Sequence, residues 1–200
     1  MKKIMLLGGV LATALVLAPT AVAGQGIGGC ELDGTANFAK PLTTNSVTTS
    51  YDFNGTLSTC NGSYPETGGT VEAGQTITIG GVAYQSLGAP SLTGGCTNST
   101  TSGLAFVAWN NGKYSEISYS TTGAAAAVGL TGNFKSGSLT LTSVAVDANG
   151  NHTTISVPLA YGGDYAGGAL AFEPADPTAC NGAGVSTAGI QGFIGHGNYQ

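Results

Sequence analysis

From Val47 to Leu57 the chain alternates without a break. Val47, Thr49, Tyr51, Phe53, Gly55 and Leu57 fall on one face of an extended segment, and Thr48, Ser50, Asp52, Asn54 and Thr56 on the other. A period of two matches the pleat of a strand with one face buried and one wet. Helix has little support elsewhere, because Ser, Thr, Gly and β-branched residues fill the chain and all are mediocre or poor helix formers. Gly123 to Val128 carries four alanines, but glycines at 123 and 129 bracket it, so it reads as a strand whose small side chains let another sheet approach. Further strands over 129–134, 138–146, 168–172 and 185–194 bring the total to about ten to twelve. Strands this short and evenly spaced predict an all-β fold, either an antiparallel β-sandwich of immunoglobulin-like kind or a closed barrel.

Three dipeptides mark hairpin turns, where positive φ is tolerated by asparagine and glycine and by few other residues. A two-residue turn at Gly80-Gly81 sets Ile79 opposite Val82 and Ile77 opposite Tyr84. The same turn at Asn111-Gly112 pairs Trp109 with Tyr114 on one side of the ribbon and Phe106 with Ile117 on the other. At Asn149-Gly150 it brings Val144 to Ile155 and Asp147 to His152.

Only 15 of 200 residues are charged, while 42% are hydrophobic. A chain so neutral and so apolar is not a disordered polyelectrolyte, which needs net repulsion and low hydrophobicity. The first residues, with Lys2 and Lys3 before an apolar run and then Ala21-Val22-Ala23, have the form of a secretory signal peptide over 1–23, leaving one all-β domain over 24–200. The apolar run is too short for a retained span, and no later stretch supplies a transmembrane helix. Without Lys2 and Lys3 the formal charge is 3 − 10 = −7. Lys40, Lys113 and Lys135 are too few to neutralise several phosphates, which excludes nucleic acid as a partner.

Four cysteines remain, Cys30, Cys60, Cys96 and Cys180, an even number in a chain with an export signal. Two structural disulfides are expected. Cys30 with Cys60 and Cys96 with Cys180 is the favoured pairing, because the segments around 30 and 60 read as two arms of one hairpin. No Cys-x-x-Cys pair points to zinc.

No motif names a reaction: there is no nucleophile elbow, phosphate-cradling loop or metalloprotease helix. His152 opposite Asp147 reads as a polar pair beside a turn. His196, flanked by glycines, reads as part of a frayed tail. The ten carboxylates are scattered, Asp147 to Asn151 lacks the glutamate that completes a calcium loop, and no metal site, cofactor or catalytic residue is assigned. The aromatics carry more. Trp109 and Tyr114, with Tyr161 and Tyr165 around Gly162-Gly163-Asp164, are the candidate ligand-binding residues, an exposed stacking patch for a sugar, a peptide or a partner; the competing reading makes Trp109 a core residue.

At Leu32 to Phe38, at Ser120 to Ala126, and above all from Gly168 through Glu173-Pro174-Ala175-Asp176-Pro177 to Cys180, the chain resembles secreted proteins of filamentous actinobacteria whose function is not established. The resemblance spans most of the exported chain and implies export and strand packing, with no active site. A looser similarity is to the secreted apoproteins that carry enediyne antibiotics, which are acidic, four-cysteine, immunoglobulin-like sandwiches. This chain is longer and its cysteines are spaced differently, so that similarity implies a scaffold and not a ligand. The expectation is a secreted, extracellular or cell-envelope β-sandwich stapled by disulfides. It is expected to bind a small molecule, a glycan or an extracellular protein and not to be an enzyme. The alternative is a self-associating surface protein, including a pore-forming barrel.

Overall fold

A computed structural model describes residues 28–62 and 67–197; the expected signal segment over 1–23 and Glu66 lie outside them. The architecture is all-β, and of the two expected forms it takes the closed barrel. The wall is built from β1 (Gly28–Leu42), β2 (Val47–Asn61), β3 (Gly69–Ala73), β6 (Ser91–Gly94), β7 (Asn98–Trp109), β8 (Tyr114–Ala124), β9 (Ala127–Phe134), β12 (Tyr165–Pro174) and β13 (Val185–Gly197). Its order runs β1, β13, β12, β9, β8, β7, β3, β2, and β2 pairs back to β1, which closes eight positions with antiparallel neighbours throughout. One position is shared. β3 fills the gap between β2 and β7 at one end, through Phe53 to Leu57 and Phe106 to Trp109, and β6 fills it at the other, through Val47 to Ser50 and Ser99 to Ser102.

The chain between β3 and β6 leaves the barrel as β4 (Ile77–Ile79) and β5 (Val82–Tyr84). With β10 (Ser138–Val146) and β11 (His152–Pro158) these strands form a second sheet, in the order β11, β10, β5, β4. That sheet lies over the outside of β7. Phe106 points away from the barrel yet is buried there, among Ile77, Tyr84, Leu141 and Val157. This explains why Leu104 to Trp109 is apolar at successive positions, since this half of β7 is covered on both faces. The other half, Asn98 to Ser102, alternates because its outer face is wet.

β2 buries the predicted face, with Thr49, Tyr51, Phe53 and Leu57 inside. The Gly80-Gly81 hairpin also has the predicted register, Ile77 to Tyr84 and Ile79 to Val82, and both glycines have positive φ. The two Asn-Gly hairpins do not. At the first, Ala108 pairs with Tyr114 and Ala105 with Ile117, one residue away from the expected pairing. The Trp109 N–H donates to the Lys113 carbonyl at 2.9 Å, so the loop holds three residues and Gly112 alone takes positive φ, at 79°. A type I turn closed by a left-handed glycine has this form. The second repeats it: Val146 pairs with His152, the Asp147 N–H donates to the Asn151 carbonyl, and Gly150 has φ 82°.

A one-residue slip sends every side chain to the other face. Trp109 therefore lies inside the barrel while Tyr114 lies outside, stacked on Phe106 with ring centroids 5.6 Å apart. Gly123 to Val128 is likewise not one strand. Ala125 and Ala126 form the tight turn between β8 and β9, with Ala125 at φ 53°. Both disulfides have the expected pairing, Cys30 with Cys60 and Cys96 with Cys180. The first joins β1 to β2. The second ties the link between β6 and β7 to a 3-10 turn over Ala179–Asn181 at the opposite end. No helix among the described residues is long and apolar enough to cross a membrane.

Candidate functional site

The two ends of the barrel interior differ. One is plugged. Trp109 from the end of β7, Phe134 from β9, His196 from β13 and Tyr161 from the loop between β11 and β12 pack ring against ring, with centroids 5.1 to 6.2 Å apart. The indole N–H of Trp109 donates to Ser115 Oγ at 2.9 Å, and Ser115 donates to the Ala160 carbonyl at 3.1 Å, which ties the plug loop to the wall. Asp164 lies beneath, its Oδ2 3.5 Å from His196 Nδ1, and both side chains are buried. His196 is thus an interior residue of β13 and not part of a frayed tail, because β13 sits between β1 and β12 up to Gly197.

The other end is hollow. A cavity of about 120 Å³ lies inside the wall, lined by apolar side chains that include Leu32, Phe38, Ala105, Ile117, Leu170 and Ile194. Every strand sends alternate residues inward, so eight positions leave space for packed side chains or one small ligand. Small residues keep this half open: Ala36, Ala73 and Ala105 line it. Gly34 lies under Phe53, where a Cβ would come 2.5 Å from the ring. The lining reaches solvent at Asn98 and Ala125, both exposed, beside the β8–β9 turn.

Five hydroxyls interrupt the apolar lining, and all but that of Ser99 form one row. Tyr51 and Tyr119 meet oxygen to oxygen at 2.7 Å, Tyr51 donates to Thr101 Oγ1 at 3.2 Å, and Thr101 and Thr121 share a bond of 2.8 Å. All four line the cavity. Burial pushes both phenols above the ordinary tyrosine value, and at Tyr119 the neighbouring Tyr51 adds to the rise. Both therefore stay neutral at any physiological pH.

The four aromatic candidates do not form one exposed patch. Trp109 is 5% exposed and Tyr161 packs on it edge to face, so these two belong to the plug. Tyr114 is on the outer face of β8, under the second sheet. Tyr165 opens β12, level with Gly197 on one side and Asn133 on the other. Tyr51, Thr101, Tyr119 and Thr121 escaped the sequence reading, although their parity carried a signal. Each shares the inward face of its strand with apolar neighbours, so each hydroxyl had to find a partner inside.

His152 and Asp147 are not paired. The Asp147 carboxylate accepts from the N–H groups of Asn149 and Asn151, bonds that hold it below the usual carboxylate range, and His152 Nδ1 lies 2.7 Å from the Ser143 carbonyl. On the outside of the barrel, Asp52 accepts from Asn37 and Gln75. Among the described residues no three of His, Cys, Asp and Glu gather as a metal site. Comparison with protein families, with curated proteins and with solved structures finds no match to this chain.

Proposed function

We propose that this is an extracellular binding protein that encloses a small, largely apolar molecule inside its barrel. The observation that carries the reading is the cavity beside an aromatic plug: one end of the interior is filled and the other is not. Concave, mostly apolar space with a few convergent polar groups is the usual form of a small-molecule site. The two disulfides suit an oxidising compartment. Outward residues of the wall, among them Thr48, Ser50, Thr100, Ser102, Ser120 and Thr131, are hydroxyl-bearing, which does not supply the apolar band that a lipid-facing barrel needs.

Filling the space tests the reading. Ala105→Leu places three more carbons into the cavity and is expected to abolish binding of benzene-sized probes, measured by titration calorimetry, while the fold persists. Unchanged affinity in that variant sinks the interior site. Self-association is the second reading, favoured by the exposed Val82, Val144 and Val146 of the second sheet, whose edge strands β4 and β11 have unpaired sides among the described residues. A strict monomer at high concentration in sedimentation removes it.

A further inference from the structure

We propose that the cavity selects a compact, neutral ligand bearing one hydroxyl, a phenol or a small alcohol, whose O–H donates to the oxygen of Tyr119. This rests on the interior being a binding site and names what that site takes. A hydroxyl has one proton and two lone pairs. Tyr51 gives its proton to Thr101, so in the 2.7 Å contact with Tyr119 it accepts and Tyr119 donates. Tyr119 has then used its only proton, and as a lining residue it offers the cavity an acceptor. The Thr101 and Thr121 end of the row runs toward the mouth, where Thr121 is partly exposed.

This polarity discriminates between ligands of one shape. A phenol or alcohol brings the proton that Tyr119 accepts. At Tyr119 a ketone, ether or nitrile brings lone pairs to a lone pair, a desolvation loss with no bond formed, and the one proton that the three bonds leave over lies at the Thr101–Thr121 end, by the mouth. Charge is excluded by the rest of the lining, which holds no Asp, Glu, Lys or His among the described residues, so an anion or ammonium group would lose its water without a counter-charge. Size is bounded as well: about 120 Å³ is close to the roughly 150 Å³ apolar cavity that accepts benzene.

The test titrates the disulfide-intact protein at neutral pH with phenol, anisole, acetophenone and benzene. Phenol is expected to bind about five- to tenfold more tightly than the other three, the worth of one net hydrogen bond. In Tyr119→Phe the phenol advantage falls to within about twofold while benzene is retained. Thr101→Val keeps the shape but removes the acceptor for Tyr51. The Tyr51 proton is then released to Tyr119, a donor appears at the cavity, and acetophenone gains on phenol. Near-ultraviolet circular dichroism checks that each variant is folded, and if Tyr119→Phe is not, the Thr101→Val result decides. Equal binding of phenol and anisole by the unsubstituted protein, or no shift toward acetophenone in Thr101→Val, overturns the hydroxyl proposal and leaves the binding reading intact. No binding of either phenol or benzene overturns both.

Discussion

Ser115 has no exposed surface, and its single hydroxyl serves two partners, accepting from the Trp109 indole and donating to the Ala160 carbonyl. Ser115→Ala leaves a buried donor without its acceptor and frees the plug loop from the wall. The expected cost is about 1 to 3 kcal/mol, read as a lower denaturant midpoint together with a shifted Trp109 emission. Glu72 gives a signed pH prediction. Partial burial raises its carboxyl above the ordinary value of 4.5. Its folded pKa thus exceeds the unfolded one, so its contribution is fully present below the unfolded value and is lost as pH rises through the folded value. Glu72→Gln is expected to raise the melting temperature at neutral pH and to leave it unchanged near about pH 3, where the group is protonated in both states. A melting series that rises equally at both pH values refutes this. Asp147 has the opposite sign: its own turn holds the carboxyl low, and that support vanishes as pH falls through the lowered value.

At the level of strands and turns, the two disulfides close loops of different length, with sequence separations of 30 and 84. On the chain-entropy model they are worth about 3 to 4 and about 4 to 5 kcal/mol respectively, before native strain is subtracted. Replacing Cys96 and Cys180 by serine is therefore expected to cost more in guanidinium unfolding than replacing Cys30 and Cys60. It also acts on the site, because Cys96 lines the cavity and the Cys96 N–H donates to the Thr43 carbonyl at the rim. What the sequence made legible follows the same lines. The buried face of β2, the Gly80-Gly81 pairing and the disulfide partners were readable, because each depends on local alternation, on two adjacent glycines or on one hairpin. The Asn-Gly registers were not, since Asn-Gly serves a two-residue turn and a three-residue turn equally well and the two differ by the extra residue that exchanges the faces. Trp109 and Tyr114 were grouped for that reason. Phe106 was hidden too: its outward direction is apolar only because a distant segment covers it. The hydroxyl row needed the closed wall, because Tyr51 and Tyr119 are 68 residues apart in sequence.

For the molecule as a whole, alternation alone fits a sandwich as well as a barrel, and closure was decided by a pairing that no local pattern encodes. β1 and β13, the first and last described strands, lie side by side from Gly28 with His196 to Asn37 with Thr187. Because that seam joins the most distant parts of the chain, its loop-closure entropy opposes it until nearly everything else has assembled. The wall is accordingly expected to zip from its hairpins and to be sealed last. During oxidative refolding from the reduced, unfolded chain, acid-quenched and alkylated samples are expected to show Cys30 linked to Cys60 well before Cys96 to Cys180. The reverse order in the mass spectra would contradict this course. Until the seam is made the hollow is only an open trough with nothing to hold a guest, so the ability to retain one is expected to arrive with the final strand, late and all at once.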